Sequence, residues 1–599
     1  MPTIQIGKTK YHINKALMGL FCVGIFAALI WRIQCSISYY DEVLNVYVSY
    51  TTAVLGQRHL VENSYIFSMG DIFNLPFIYL FYHITGGTEG IILFIRFVYL
   101  GYNLLLMLVF YLAFEKYCGK VESLLFGFLF ITFFPGGMYT VSYDTAAIFF
   151  TMLSCIALLA SEVRENEGAD KWRLMAGISH ACMVYAYPGM VLTIIVLWIT
   201  LTIWHRKVDN FSIKQQIRYW VPYLCGGASI LAIFCIYATY VGWHNLFFMK
   251  SGFAGSHLRG RTVGEIAIAG SQGNAQAQSG VIEESVQQSA IVSMIWDIGK
   301  KVFELLNYMW IQQKKTVVCT VLMLIEWGVG LKKDGKWRLL LIPQIILVAF
   351  LFHLNIKCWG PTTMYAYCFC WSPFLLAYLN KEERKWGILI FIIFGLTAIA
   401  SFFAIGFTSI VASKAHVGLI YGAVGTFLLM LMLIRQQCQN REELKQAVIM
   451  MIVICNMIMA YRNHFQGADI WNCDYRMQTG IFKGIMTWEQ DIKYEQLKQD
   501  LEKTGCPKGT TMLLINPNDY AAALDGEYIV YESGMLMEEG LLRDGEKPSA
   551  IYNTTGWPPL VILGKDDEET YRNIKTKILD EYYNLTTGEN AYYVYTRKE

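Results

Sequence analysis

The sequence predicts a polytopic α-helical membrane protein that carries a soluble C-terminal α/β domain, and three observations predict it. Of 599 residues, 55% are hydrophobic and only 16% charged, and the mean hydropathy is +0.36, too apolar for a soluble globule. Apolar runs of about 20 residues, enough helix to cross a hydrocarbon layer about 30 Å thick, recur up to residue 462. Lys and Arg gather in every second connection between those runs, as they do on the cytoplasmic side of multi-pass proteins.

Along the chain, a short basic segment (Lys8, Lys10, Lys15) leads into the first apolar run, Ala16 to Trp31. No small-residue cleavage pattern follows it, so it reads as a span and not as a cleaved signal peptide. Candidate spans are 16–35, 91–114, 122–140, 144–161, 173–187, 188–204, 219–242, 316–331, 338–354, 364–380, 387–405, 417–435 and 446–462. The apolar segment Ile72 to Ile84 is only about 13 residues long and fits an interfacial or re-entrant helix. About thirteen spans then place the N-terminus in the cytoplasm and the C-terminus outside.

Two larger segments fall on the outer side. Residues 243–315 include a Gly/Ser/Gln/Ala-rich run too poor in large apolar residues to fold alone, and read as a flexible loop. Residues 463–599 hold strand-like runs at Thr511 to Asn516, Glu527 to Tyr531, Pro559 to Leu563 and Ala591 to Tyr595, with helices at Trp488 to Lys503 and Glu568 to Tyr583. Strands alternating with helices predict an α/β domain of about 130 residues. It contains no GxGxxG, P-loop, HExxH or nucleophile-elbow motif.

A net charge of +2 and the absence of long basic runs exclude a nucleic-acid partner. Cys22, Cys155, Cys182, Cys225, Cys235, Cys319 and Cys455 lie in apolar runs without zinc-site spacing and read as small core residues. Cys473 and Cys506, expected outside, could pair.

The chemistry concentrates at Ser38-Tyr39-Tyr40-Asp41-Glu42, adjacent carboxylates just past the first span; interfacial anchoring is the plainer account of an isolated pair. A second acidic motif, Ser142-Tyr-Asp-Thr, opens a later span, and there Asp144 could equally serve as a polar helix cap. Outer-side cations are Arg58, Arg96, Lys250, Arg259, Arg261, Lys357 and Arg462. Arg96 lies several residues inside a span, where a charge at the bilayer centre costs about 2.5–3.5 kcal/mol unless it faces a polar cavity or snorkels.

From Trp31 to Trp204 the chain resembles the GT-C superfamily of membrane glycosyltransferases, which includes protein O-mannosyltransferases and the aminoarabinose transferases that modify lipid A. The resemblance rests on ordered motifs: Asp41-Glu42 after the first span, the helix and glycine of Val43 to Gly56, Asn74-Leu75-Pro76, Arg96, Ser142 to Phe150, and a span that ends at Tyr187-Pro188-Gly189. Many relatives carry lysines where this chain has Asn74 and Tyr187.

The resemblance implies a plasma-membrane enzyme that moves a sugar, with inversion, from a polyprenyl-phosphate donor to an extracytoplasmic glycan, lipid or protein. It implies Asp41 as the base, Glu42 as orienting support and Asp144 as the second acidic residue. It also implies a divalent cation, Mg or Mn, on Asp41, Glu42 and Asp144 in metal-using relatives, and the cations named above as phosphate ligands. Apart from the resemblance, Arg259 and Arg261 flank Gly260 in the flexible loop and read either as a lid over the donor or as solvated linker charges. The competing classes are an inactive relative and a lipid or polysaccharide transporter; against the latter, no internal repeat is visible.

Overall fold

The computed structural model describes residues 15–38, 41–56, 70–133, 139–164, 168–241, 303, 318, 321–322, 325, 365, 369, 372–408, 418–437, 442–462, 470–514, 520–530, 558–565, 579–588 and 590–598. The helices of the first half are α1 (Lys15–Ile33), α2 (Asp41–Ala53), α3 (Leu75–Thr85), α4 (Ile91–Cys118), α5 (Lys120–Thr132), α6 (Tyr143–Val163), α7 (Ala169–Ala186), α8 (Val191–Lys207) and α9 (Ile213–Val241). Further along come α10 (Ser372–Tyr378), α11 (Lys381–Ile390), a π-turn at Phe391–Gly395, α12 (Leu396–Thr408), α13 (Ile420–Gln437) and α14 (Glu442–Arg462).

Six helical segments among the described residues are long and apolar enough to cross a membrane: Ala16–Ile33, Ile91–Cys118, Tyr143–Val163, Pro188–Lys207, Ile213–Tyr237 and Lys381–Ile405. The other expected spans are shorter or less apolar helices, such as α5, α7, α13 and α14. Of the span expected at 316–331 only isolated positions are described, and the span expected at 338–354 lies outside the described residues. The α3 helix, Leu75–Thr85, is 11 residues long, too short to cross. Pro76 sits in its first turn, and Gly86 closes it in the left-handed conformation (φ 76°), a position where a side chain would be strained.

The bundle is polarised. At one end cations are tied into the turns: Arg164 donates to Ala113 O at 3.3 Å, Arg435 to Tyr117 O at 3.0 Å, Lys385 pairs with Asp209 at 3.0 Å, and Lys445 pairs with buried Glu122. The alternation of basic connections seen in the sequence is therefore spatial, and it matches a membrane protein with one basic side. Within the bundle α7 and α9 cross on glycines. A Cβ on Gly177 would lie 1.9 Å from Tyr223 O, and one on Gly226 would lie 2.2 Å from Leu174 O. Such backbone contact is how helices pack in lipid, where no hydrophobic force draws them together.

The opposite end carries a sheet. After a two-stranded hairpin, β1 (Tyr475–Arg476) with β2 (Met486–Thr487), come α15 (Lys493–Lys503), β3 (Thr511–Leu514), α16 (Tyr520–Asp525), β4 (Ile529–Val530), β5 (Leu560–Gly564), α17 (Asp580–Tyr582), β6 (Tyr583–Thr587) and β7 (Tyr592–Arg597). Five strands run in the order β4-β3-β5-β7-β6. β3 is parallel to β4 and β5, while β7 is antiparallel to β5 and β6. Every residue of β5 is buried, which explains why Leu560 to Leu563 reads as an unbroken apolar run. The β6 strand was not foreseen.

This sheet does not stand apart from the helices. One continuous core joins Val43, Val46, Tyr47 and Tyr50 of α2 and Ile91, Ile92 and Ile95 of α4 to Phe482, Tyr494, Ala521, Leu524, Val530 and Leu560. Backbone pairing crosses the join: Ser36 N donates to Met486 O (2.6 Å), Met486 N to Gln34 O (2.7 Å), and Gly90 N to Gly480 O (3.0 Å).

Asp525, whose Oδ1 accepts from Ile481 N at 2.8 Å, has its carboxyl pushed up to about 7. Burial is the main cause; Lys498 and the Ile481 bond oppose it, and Glu89 and Glu502 add to it. The folded state therefore holds a proton that the unfolded chain releases near the ordinary value of 3.8. Stability should fall as pH rises from about 4 to about 7 and level off above. Asp525→Asn should flatten that slope and leave the protein more stable than wild type at pH 8, as read by thermal unfolding in detergent. An unchanged slope would remove Asp525 as its source.

Candidate active site

The site is built where α1 ends. Glu42 lies in the first turn of α2, an arrangement that the positive end of a helix dipole favours, and Asp41 opens that helix. Ser36 adopts a left-handed backbone (φ 69°), uncommon for a residue with a Cβ. That turn points successive carbonyls inward at Arg96, on the second turn of α4.

Arg96 is fully buried. Its Nε donates to Glu42 Oε1 at 2.7 Å and one Nη2 proton to Oε2 at 2.6 Å. The remaining protons go to the carbonyls of Ile33 (2.9 Å), Cys35 (3.3 Å) and Ser36 (2.8 Å). A guanidinium has five N–H groups, and here each has an acceptor. Arg96 was expected to bind phosphate, and Glu42 to support catalysis or bind a metal. The structure instead gives the two to one another, with Glu42 only 1% exposed. A buried charge that persists because it is paired needs no ligand to explain it. Together they tie the α1–α2 corner to α4.

Sequence reading passed over Arg32. It too is fully buried, donates to Cys35 O at 3.2 Å, and lies 4.8 Å over the Tyr139 ring. The signal was available: an arginine at the end of a span away from the basic side is out of place by the positive-inside pattern.

The second acidic motif is seated by a capping box. Ser142 N donates to Thr145 Oγ1 (2.7 Å), and Thr145 N donates back to Ser142 Oγ (3.2 Å). Capping at α6 therefore belongs to Ser142 and Thr145, which leaves Asp144 in the first turn as a partly exposed carboxylate. It acts electrostatically on Tyr421 at the start of α13. Asn74, where relatives carry a lysine, is fully buried and donates to Val141 O, tying the 70–76 segment to the loop before Asp144. Tyr187, at the other lysine position, stacks on Tyr143 with centroids 6.2 Å apart. Gly70–Phe73 packs between α2 and α6, with Phe73 against Phe150 at 4.6 Å.

Of the remaining expected cations, Arg462 closes α14, while Arg58, Lys250, Arg259, Arg261 and Lys357 lie outside the described residues. Among the described residues no group of three or more His, Cys, Asp or Glu is placed to hold a metal. Glu42, with both oxygens on Arg96, does not fit the expected Asp41, Glu42 and Asp144 donor set.

With this geometry in place, the chain can be set beside known proteins. Its layout is similar to that of ArnT. The crystal structure of ArnT from Cupriavidus metallidurans bound to undecaprenyl phosphate is 9% identical, covers 97% of this chain and 98% of its own, and superposes with a TM-score of 0.45. The apo state of the same protein is 10% identical with the same coverage and a TM-score of 0.39. The archaeal oligosaccharyltransferase AglB from Archaeoglobus fulgidus, in complex with an inhibitory peptide and a dolichol-phosphate, is 11% identical. It covers 97% of this chain and 74% of its own, with a TM-score of 0.42. No family model and no curated protein matches the sequence.

Two further polar residues join the sheet to α2. Glu527 Oε2 accepts from Tyr50 Oη and Tyr82 Oη, both at 2.9 Å, and its Oε1 accepts from Lys508. Tyr47 Oη donates to Tyr528 O at 3.1 Å and accepts from Val530 N at 2.6 Å. These bonds position α2, and with it Asp41, from the side away from the bundle.

Proposed function

We propose that this chain is an integral-membrane glycosyltransferase that transfers a sugar from a polyprenyl-phosphate-linked donor to an extracytoplasmic acceptor, with Asp41 as the general base. The observation that supports the reading is the buried Glu42–Arg96 clamp: it commits one carboxylate of the pair and all five guanidinium protons to the corner, and Asp41 is the carboxylate to which we assign the chemistry. The sheet-bearing end is the outer side in this reading, because the cations gather at the other.

In the proposed reaction an acceptor hydroxyl gives its proton to Asp41 as its oxygen attacks the anomeric carbon, and the lipid phosphate leaves from the opposite face. The sugar is inverted. A phosphate leaves as a stabilised anion, so a single carboxylate suffices, unlike the pair needed in glycoside hydrolysis. Asp144, at the start of α6, is the candidate for positioning the acceptor. The cations that neutralise the phosphate are sought among Arg58, Lys250, Arg259, Arg261, Lys357 and Arg462 rather than at Arg96.

The test is purified protein in lipid nanodiscs incubated with a panel of polyprenyl phosphate sugars, with and without isolated membranes as a source of acceptor. Release of sugar from one donor class is the expected result. Donors left intact across the panel by folded protein would favour an inactive relative or a transporter.

A further inference from the structure

The corner that carries the acidic motif also holds two thiols from opposite ends of the chain. Cys35 is fully buried and lies in a parallel bridge with Met486. Asp474 N donates to Thr487 O at 3.1 Å, which brings the preceding Cys473 to the same short strand. The two thiols are in hydrogen-bond contact, and Cys35 Sγ also donates to Trp31 O at 3.2 Å. Cys506, the partner expected for Cys473, lies instead in the turn after α15, where its N–H donates to Thr504 Oγ1.

We propose that Cys35 and Cys473 are a redox pair that oxidises to a disulfide, covalently joining the end of α1 to the segment that leads into β1. The oxidant is a disulfide, either a small one such as oxidised glutathione or that of a thiol oxidoreductase. Cys473, the more exposed of the two, attacks one sulfur of the oxidant as a thiolate and expels a thiolate, forming a mixed disulfide. Cys35 then attacks the Cys473 sulfur and expels the second thiolate. The protein loses two electrons and two protons, and the oxidant gains them as two thiols. Access decides the order: the bond to Cys35 and burial hold the Cys473 thiol above its ordinary range, but Cys35 is fully buried and cannot meet the oxidant first. The hydrogen bond donated by Cys473 and the charges of Arg32 and Arg96 hold the Cys35 thiol below its ordinary range, against the effect of burial, and so favour the resolving thiolate. A disulfide needs its sulfurs about 2.0 Å apart.

Purified full-length protein in detergent would be equilibrated with glutathione buffers of rising oxidised fraction, denatured in N-ethylmaleimide, digested and analysed by mass spectrometry. A Cys35–Cys473 cross-linked peptide is expected, lost on treatment with dithiothreitol, while Cys506 carries the label throughout. Cys506→Ser should leave the cross-link intact. Oxidation should raise the thermal midpoint of wild type and of Cys506→Ser but not of Cys473→Ser. Label on both Cys35 and Cys473 in fully oxidised buffer, or a Cys473–Cys506 cross-link, would overturn the proposal. Formation of the bond in the cell rests on the outward placement argued under the proposed function. The glutathione titration does not, so failure of the pair and failure of the topology are distinguishable.

Discussion

Asp41→Asn should lose sugar transfer by about 100- to 10,000-fold, the usual contribution of a positioned general base, while its thermal midpoint and donor binding stay near wild type. Asparagine keeps the size of the side chain and removes its ability to take a proton, so the loss should appear in kcat and not in KM. Glu42→Gln makes a contrasting control. It weakens the clamp and should lower stability and activity together, because what it disturbs is the placement of α2. The measurement is initial rate against donor concentration with whichever polyprenyl phosphate sugar the panel identifies. Full activity in Asp41→Asn would remove it as the base.

The second large effect concerns folding. Arg96→Ala should destabilise the protein by about 3–5 kcal/mol, the range found when one partner of a buried ion pair is removed. It strands the Glu42 carboxylate and the Ile33 and Ser36 carbonyls at once, while Cys35 O keeps its bond from Arg32. Arg96→Lys should recover little, since an ammonium cannot serve five acceptors spread around a plane. A Glu42→Leu, Arg96→Leu double variant should remain less stable than wild type, because Ile33 and Ser36 keep unsatisfied carbonyls. Thermal unfolding in detergent, with yield of monodisperse protein as a second readout, gives the order. A lysine variant indistinguishable from wild type would show that the five bonds do not act as a unit.

How legible this was in the sequence depended on the separation of the partners. The long apolar helices, the short α3 with its early proline, and the strands at Thr511 and Leu560 are local patterns, and local patterns were readable. The roles of Glu42 and Arg96 were not, because their pairing joins residues 54 apart in sequence; a charge pair that looks solvent-facing on its own helix can be buried by another. Glu527, 477 residues from Tyr50, carried no local signal at all. One clue was missed. Val43, Leu44, Val46, Tyr47, Val48 and Tyr50 give α2 a broad apolar arc beside a polar stripe of Glu42, Asn45 and Ser49, and an apolar arc that wide has to be buried. That composition could have shown that something beyond the bundle must cover it.

It also changes how the sheet can be studied. Removing residues after 462 would strip α2 of a cover to which each buried aromatic or branched side chain contributes about 1.5–3 kcal/mol. A truncated chain would report on folding and not on acceptor choice, so questions of specificity call for point variants on the sheet surface.

The core shared by α2 and the sheet has a consequence for biogenesis. The ribosome makes α2 long before the residues that cover it, from Phe482 to Leu560. Until they emerge and dock, α2 presents apolar surface to water or lipid headgroups, the sort of exposure that recruits chaperones and quality-control proteases. The acidic corner is therefore completed only after these covering residues have emerged, and a chain interrupted before them would be inserted in the membrane but not yet equipped to act there.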